Sequence, residues 1–372
     1  MRPRGWVRLA AFAGSAVVAS RNQRLRVPTV LVGVAALALL TGCSNSPDSD
    51  NLPTRDPATA AVSPTDTPRP AGDVTRLSSP VRALLTEQST GEIAALDAST
   101  DTSTVLFLID PTTLGHTDPN GVPDAGVRAL SLSARGASLS QGKPGELLVA
   151  APNRIFRINI TAHSVSEIPF DGDARSVQRR DDGTLLVGTA DGKVRTLAAD
   201  GKVTHTITGL ASADALALTE GHVSVLDRRQ TSVTEIELGK DDLGLALRAG
   251  DGATNMIADH FGRIIVTDST GGELLVFSAG PLVLRQRFPV NSSPYALAYD
   301  QRSDTVWVTC TQSNEVVGFD LSTGIPTEVG RYPTVRQPNS VTIDQRTGDM
   351  FVGSAVGDGL QRIRADDRKR GQ

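Results

Sequence analysis

Apolar and polar positions along this 372-residue chain recur with a period of about forty residues. Seven short apolar runs line up: "TVLFLID" from Thr104, "ELLVAAP" from Glu146, "TLLVGTA" from Thr184, "HVSVLDR" from His222, "RIIVTDS" from Arg263, "TVWVTCT" from Thr305 and "DMFVGSA" from Asp349. Their starts are 42, 38, 38, 41, 42 and 44 residues apart. Each run is rich in β-branched residues and flanked mostly by Gly, Asp, Asn or Ser, so each predicts a strand. A second strand-like segment precedes each one, such as "EIAALD", "ADALAL" or "PYALAYD". The clearest unit, "ARSVQRRDDGTLLVGTADGKVRTLAADGKVTHTITGL", reads as four strands separated by "RDDG", "ADG" and "ADG". Asp-Gly favours hairpins because glycine accepts positive φ. The second strand of a unit is almost continuously apolar, as expected of a strand covered on both faces. The third and fourth alternate, as in "KVRTL" and "TEIEL", as expected nearer a rim.

Four strands per forty residues, repeated seven times without an amphipathic helix, predict an all-β, seven-bladed β-propeller of four-stranded antiparallel blades over residues 81–366, with a polar tail at 367–372. A pair of β-sandwiches would not repeat one four-strand unit in register. Two units are irregular. The first carries the excursion "DPTTLGHTDPNGVPDAG" where a third strand is due, and the seventh runs out after "LQRIRADD". An incomplete last blade exposes a strand edge. Residues 81–89, within "PVRALLTEQ" and its continuation, are placed to supply the missing strand.

Ahead of the repeats the pattern changes. Val27–Leu40 carries no charge. It is shorter than the roughly 20 residues that cross a bilayer as a helix, but it suits a signal-peptide core behind Arg21, Arg24 and Arg26. Leu40, Thr41, Gly42 and Cys43 follow, and this sequence resembles a bacterial lipobox. The resemblance implies diacylglycerol on the Cys43 thiol, cleavage before it, acylation of the new amine, and anchoring to the extracytoplasmic side of the cell membrane. Residues 1–42 would then be the signal peptide. The weaker apolar stretch "GWVRLAAFAGSAVVAS" ahead of it points to a start assigned too early. Within residues 43–80, the stretch from Ser44 to Ser79 holds Pro47, Pro53, Pro57, Pro64, Pro68 and Pro70 among Ser, Thr, Asp and Ala. With almost no large apolar side chain, this stretch is expected to be a disordered tether.

Composition narrows the function. Cys43 and Cys310 are the only cysteines, so an exported domain without a disulfide depends on its core. Loss of residues 1–42 removes six arginines and no acid, leaving 31 basic and 41 acidic side chains, a formal charge of −10. That balance argues against nucleic acid as a partner. Five lysines against 32 arginines is a bias expected of a GC-rich genome, as in actinobacteria.

The segments "SPYALAYDQRSDTVWVTCTQSNEVVGFDLSTG" and "QPNSVTIDQRTGDMFVGSA" resemble YVTN-type and NHL-type propeller repeats. Thr309 and Cys310 stand where that family usually shows Thr-Asn. The Gly-His and Trp-Asp pattern of WD40 repeats is absent from the sequence. Because YVTN and NHL repeats occur in enzymes and in binding proteins, the resemblance implies a fold rather than a task.

Candidate chemistry is sparse. His116, His163, His205, His222 and His260 show no zinc-ligand spacing, and neither a nucleophile elbow nor a phosphate loop occurs. Cys310 sits in an apolar strand and is expected in the core. Asp118, Asn120 and Asp124 alternate as calcium ligands would, but Pro119 and Pro123 restrict the loop and turn chemistry accounts for them. The loops entering the innermost strands of a propeller ring its channel, and here they place Arg175, Asp214, Asn255, Tyr295 and Asn339. Asp227 and Asp268 close the neighbouring strands. A lactonase-like propeller would hold a divalent metal there, and a virginiamycin-lyase-like one would need a histidine base, for which His260 is the candidate. No cofactor is expected beyond the acyl groups on Cys43. The expected role is a membrane-anchored binding or scaffolding module for a protein or envelope component. The alternatives are a metal-assisted hydrolase, lactonase or lyase, and an accessory subunit of a membrane complex.

Overall fold

The computed structural model describes residues 52–98, 100, 102–114 and 126–368. Cys43 with its lipobox neighbours Leu40, Thr41 and Gly42, and the trio Asp118, Asn120 and Asp124, lie outside the described residues. Strand β1 (Asp73–Thr75) comes first. A four-stranded sheet follows, made of β2 (Val81–Thr86), β3 (Ile93–Asp97), β4 (Thr104–Ile109) and β5 (Val127–Leu132). Next come β6 (Ser138–Gln141), β7 (Glu146–Asn159), β8 (Ser164–Arg179), β9 (Leu185–Thr189), β10 (Val194–Leu197) and β11 (Val203–Ile207), in one six-stranded sheet. Three four-stranded sheets follow: β12 (Ala215–Thr219) to β13 (His222–Asp227), β14 (Ser232–Glu237) and β15 (Asp242–Arg248); β16 (Ala253–Ala258) to β17 (Arg263–Asp268), β18 (Glu273–Ser278) and β19 (Val283–Pro289); β20 (Pro294–Asp300) to β21 (Thr305–Cys310), β22 (Glu315–Asp320) and β23 (Thr327–Pro333). The last sheet is β24 (Pro338–Ile343), β25 (Met350–Ser354) and β26 (Leu360–Ile363), completed by β1.

Counted as continuous hydrogen-bonded sheets, the β-propeller therefore has six blades and not the seven four-stranded blades that the repeat count predicts. The cause lies in β7 and β8, each long enough to serve two repeat units. β8 pairs with β7 through Ser164–Asp173 and continues directly into pairing with β9 through Ala174–Arg179. The units at 138–170 and 174–207 thus share one sheet, which supplies two channel-side strands. The inner strands β2, β6, β8, β12, β16, β20 and β24 touch in turn, and β24 returns to β2.

Closure also differs from expectation. Residues 81–86 form the inner strand of the first sheet, which shifts the first unit by one strand. "EIAALD" supplies the second strand of that sheet and "TVLFLID" the third. The last sheet is completed by β1, whose Val74 lies opposite Gln361. The short, polar sequence "DVT" carries no apolar alternation to announce a strand, so the signal at 81–86 drew the closure to itself. Part of the stretch expected as a tether lies among the described residues. Residues 54–71 run extended along one face of the ring, hydrogen-bonded to the loops of three sheets and to the end of β23.

The core lies between the sheets. Every residue of β3, β9, β21 and β25 is buried, whereas β15, β19 and β23 at the rim have no buried residue. Leu96 and Leu106 pack with Leu147 and Phe156 across one inter-sheet seam, and Ile265 and Val276 with Val308 and Phe319 across another. Each such side chain contributes about 1.5–3 kcal/mol of burial. This places the rigid frame inside and leaves the loops free to vary.

Candidate functional site at the loop face

Two kinds of loop share one face of the ring. One joins the second and third strands of a sheet. The other joins an outer strand to the next inner strand. The inner strands begin here with bulges, as register shifts between Ala174 and Ser176, Ala253 and Asn255, Pro294 and Leu297, and Pro338 and Ser340 show. A bulge re-aims a side chain, and Arg175, Tyr295 and Asn339 all sit at one.

The predicted channel-mouth residues are each engaged near at hand. Arg175 pairs with Asp173 at 2.7 Å, an exposed contact of small energetic weight. Asp214 accepts from Ser212 Oγ at 2.5 Å and from the Arg228 amide at 2.9 Å. Asn255 Nδ2 donates to the Tyr295 carbonyl at 3.0 Å, and Thr267 Oγ1 donates to the same oxygen at 2.7 Å. Asn339 Oδ1 accepts from Gln337 Nε2 at 3.0 Å. The Tyr295 ring packs at the edge of the cluster around Trp307 and Val341. Asn255 and Tyr295 are thus brought together, while Asn339 and Arg175 bond within their own segments and Asp214 ties its loop to the neighbouring one at Arg228.

The Asn255 bond belongs to a wider device. Inner strands have one edge without a ladder partner, and their carbonyls need donors. Gln141 Nε2 reaches the Thr86 carbonyl at 2.7 Å, and Gln345 Nε2 reaches that of Tyr299 at 2.7 Å. Side-chain amides therefore stitch adjacent sheets together around the channel.

Asp227 and Asp268 are fully buried. Asp227 accepts the amides of Ala211, Ser212, Arg229 and Gln230. Asp268 accepts those of Asp251, Gly252 and Gly271. Backbone dipoles balance each carboxylate without a cation. Among the described residues, no group of three or more His, Cys, Asp or Glu side chains is gathered to hold a metal ion.

His260 lies on the opposite face, in the turn between β16 and β17. Its Nδ1 is 2.6 Å from the Tyr299 hydroxyl, which donates to Asp304 Oδ1 at 2.8 Å. Burial, reinforced by Asp304, pushes the Tyr299 hydroxyl well above its ordinary range, so it stays protonated. A groove of about 990 Å³ opens beside it, bordered by Arg179, Glu220, His222, Asp259, His260 and Phe261.

Sequence reasoning missed the residues that hold the extended segment 54–71, here called the strap: Arg228, Arg229, Ser293, Asn314 and Gln337. The sequence marks Ser293 and Gln337 only as the residues before Pro294 and Pro338, at the entry of inner strands.

No family model and no characterised relative matches the sequence. Solved structures match by shape. Hydrazine synthase of Kuenenia stuttgartiensis aligns with a TM-score of 0.63 at 12% identity, covering 79% of this chain and 98% of that one. Virginiamycin B lyase from Staphylococcus aureus aligns with a TM-score of 0.58 at 12% identity, over 78% and 97%. The WD40 β-propeller domain of Doa1 aligns with a TM-score of 0.57 at 14% identity, over 82% and 100%. Likeness at these identities shows the β-propeller fold, which is shared by enzymes and binding domains.

Proposed function

We propose that this chain is a lipid-anchored, extracytoplasmic β-propeller that acts as a binding or scaffolding module for a protein or envelope component. One observation carries the reading. The polar side chains at the channel mouth are engaged with nearby loops and backbone, while loops of the same face hydrogen-bond to an extended chain segment. A face so arranged holds polypeptide and does not assemble a reacting centre. The lipobox-like sequence supports the anchor. Docking from Arg55 leaves 12 residues after Cys43, a reach of at most about 40 Å, so the ring would ride close to the membrane. An accessory subunit of a membrane complex would be a special case of this role.

Mild cross-linking at the membrane followed by co-purification tests the reading. A partner should be retained, and Asp214→Ala with Asn255→Ala should leave the fold intact and change at most that partner's affinity. Cys43→Ala should release the chain from carbonate-washed membranes. The rival is a metal-assisted hydrolase, lactonase or lyase using the channel mouth. Calorimetric binding of calcium, zinc or manganese at micromolar concentration, abolished by the same double substitution, would sink the module and favour the rival.

A further inference from the structure

The strap is held in a way that reveals what the loop face reads. Gln337 Nε2 donates to the Ala61 carbonyl at 2.9 Å, while its Oε1 accepts the Ser63 amide at 3.0 Å. One side-chain amide thereby offers an extended chain the donor and acceptor that a neighbouring β-strand would offer. Ser293 Oγ accepts the Ala61 amide at 3.2 Å, and Asn314 Nδ2 donates to the Pro64 carbonyl at 3.3 Å. Arg228 Nη2 reaches the Ala58 carbonyl at 2.5 Å, and the Arg55 amide donates to the Arg229 carbonyl at 3.0 Å. Ser63 adds a hydroxyl contact, donating to the Thr311 carbonyl at 2.7 Å and accepting the Gln337 amide at 2.8 Å. Most of these contacts address backbone. Val62 points away, 87% exposed.

Two further features bear on this face. Asn291, Ser292, Ser293 and Gln337 have φ of 63°, 52°, 54° and 51°, in the left-handed region that L-residues avoid. Such conformations gather where a ligand is clamped. The strap also fits loosely. A groove of about 380 Å³ remains along Ala60 and Ala61, bordered by Gly271, Asn291, Ser293 and Gln312. No residue from 52 to 72 is fully buried, so the strap is held by hydrogen bonds that water can replace.

We propose that this face is a backbone-reading track for an extended, proline-containing segment of a partner protein, and that residues 54–64 are its resident competitor. The inference rests on the binding-module reading and adds its mode of recognition. The partner segment pairs with Gln337, Ser293 and Asn314 and fills the groove with side chains larger than those of Ala60 and Ala61. The strap leaves as the partner docks, so apparent affinity is lowered by the fraction of time the strap is bound.

The test uses the full chain and a fluorescein-labelled peptide of residues 54–66 as probe. Ser63→Pro removes the amide and hydroxyl that hold the strap while leaving the track intact. The probe should bind Ser63→Pro about tenfold more tightly than wild type if the strap is docked nine-tenths of the time. Adding Gln337→Ala should abolish that gain, with an unchanged thermal transition showing that the ring is folded. Faster hydrogen exchange at the Ala61 amide in Ser63→Pro verifies strap release. Equal affinity for wild type and Ser63→Pro, or no binding to a chain whose strap is released, overturns the proposal. A wild-type dimer formed by strap exchange would overturn the partner assignment in favour of a second copy. If a partner co-purifies equally with wild type and Ser63→Pro/Gln337→Ala, the module reading stands and the track alone fails.

Discussion

The carboxylate of Asp268 accepts the Gly252 amide at 2.8 Å, tying the end of β17 to the loop that enters β16. It also takes the amides of Asp251 and Gly271. Asp227 makes the same tie to Ser212 in the preceding sheet. Asp268→Ala should leave buried donors without acceptors and lower stability by about 3–5 kcal/mol, read as a shift in urea midpoint. Asp268→Asn should also destabilise, because its amide presents hydrogens to amide hydrogens. A midpoint within error of wild type for Asp268→Ala would show that the loop stands without its carboxylate.

Ring closure gives a second expectation. β1 covers the edge of β26, and Gly359 makes the seam possible. Its φ is +110°, and a Cβ there would lie 2.4 Å from the Thr75 carbonyl oxygen. Gly359→Ala should therefore force β1 away and lower Tm by several degrees, with faster proteolysis near residue 75. Deleting residues 44–50 should leave Tm unchanged. An unaltered Tm for Gly359→Ala would mean that the ring does not depend on β1.

These two seams mark how far the sequence was legible. The second strands of the later units were readable because β17, β21 and β25 are covered on both faces and so carry an apolar run at their centre. Whether adjacent units form separate sheets is decided by one strand that passes from its β7 partner at Asp173 to its β9 partner at Ala174, which hydropathy does not encode. The closing strand was hidden because Asp73–Thr75 has two exposed residues in three. Asn255 was recognisable as a channel-mouth residue, but its bond to Tyr295 depends on the spacing of adjacent sheets. The strap escaped notice because its contacts run through backbone, to which composition is blind.

Glu87 gives the pH expectation. Burial alone would raise its pKa, but hydrogen bonds from Thr90, Gly145 and Ser89 outweigh it and hold the carboxyl below its usual value. The Gly145 amide, at 2.9 Å, reaches Glu87 from the turn before β7. A lowered folded pKa means that the stabilisation is complete above the unfolded value, about 4.3, and is lost as pH falls through the folded one. Between roughly pH 5 and 3, wild type should lose stability more steeply than Glu87→Gln. Parallel denaturation curves across that range would remove Glu87 from the acid response.

Cys310 supplies the last expectation. It is fully buried at the end of β21, packed with Leu297, Val308 and Val317, and burial pushes its thiol up to about 12. At pH 7 only about one thiol in 100,000 is then ionised, and the thiolate is the reactive species. In a chain carrying Cys43→Ala, so that one thiol remains, iodoacetamide should fail to label the native protein over minutes. It should label fully in urea, and the labelling rate should track unfolding. Cys310→Ala should cost about 1 kcal/mol for the lost packing, and Cys310→Ser about 1–3 kcal/mol because a hydroxyl is buried among aliphatic side chains. Rapid labelling of the native chain would place the thiol at an accessible surface. It would also reopen a nucleophilic role for Cys310 that its position between two packed sheets argues against.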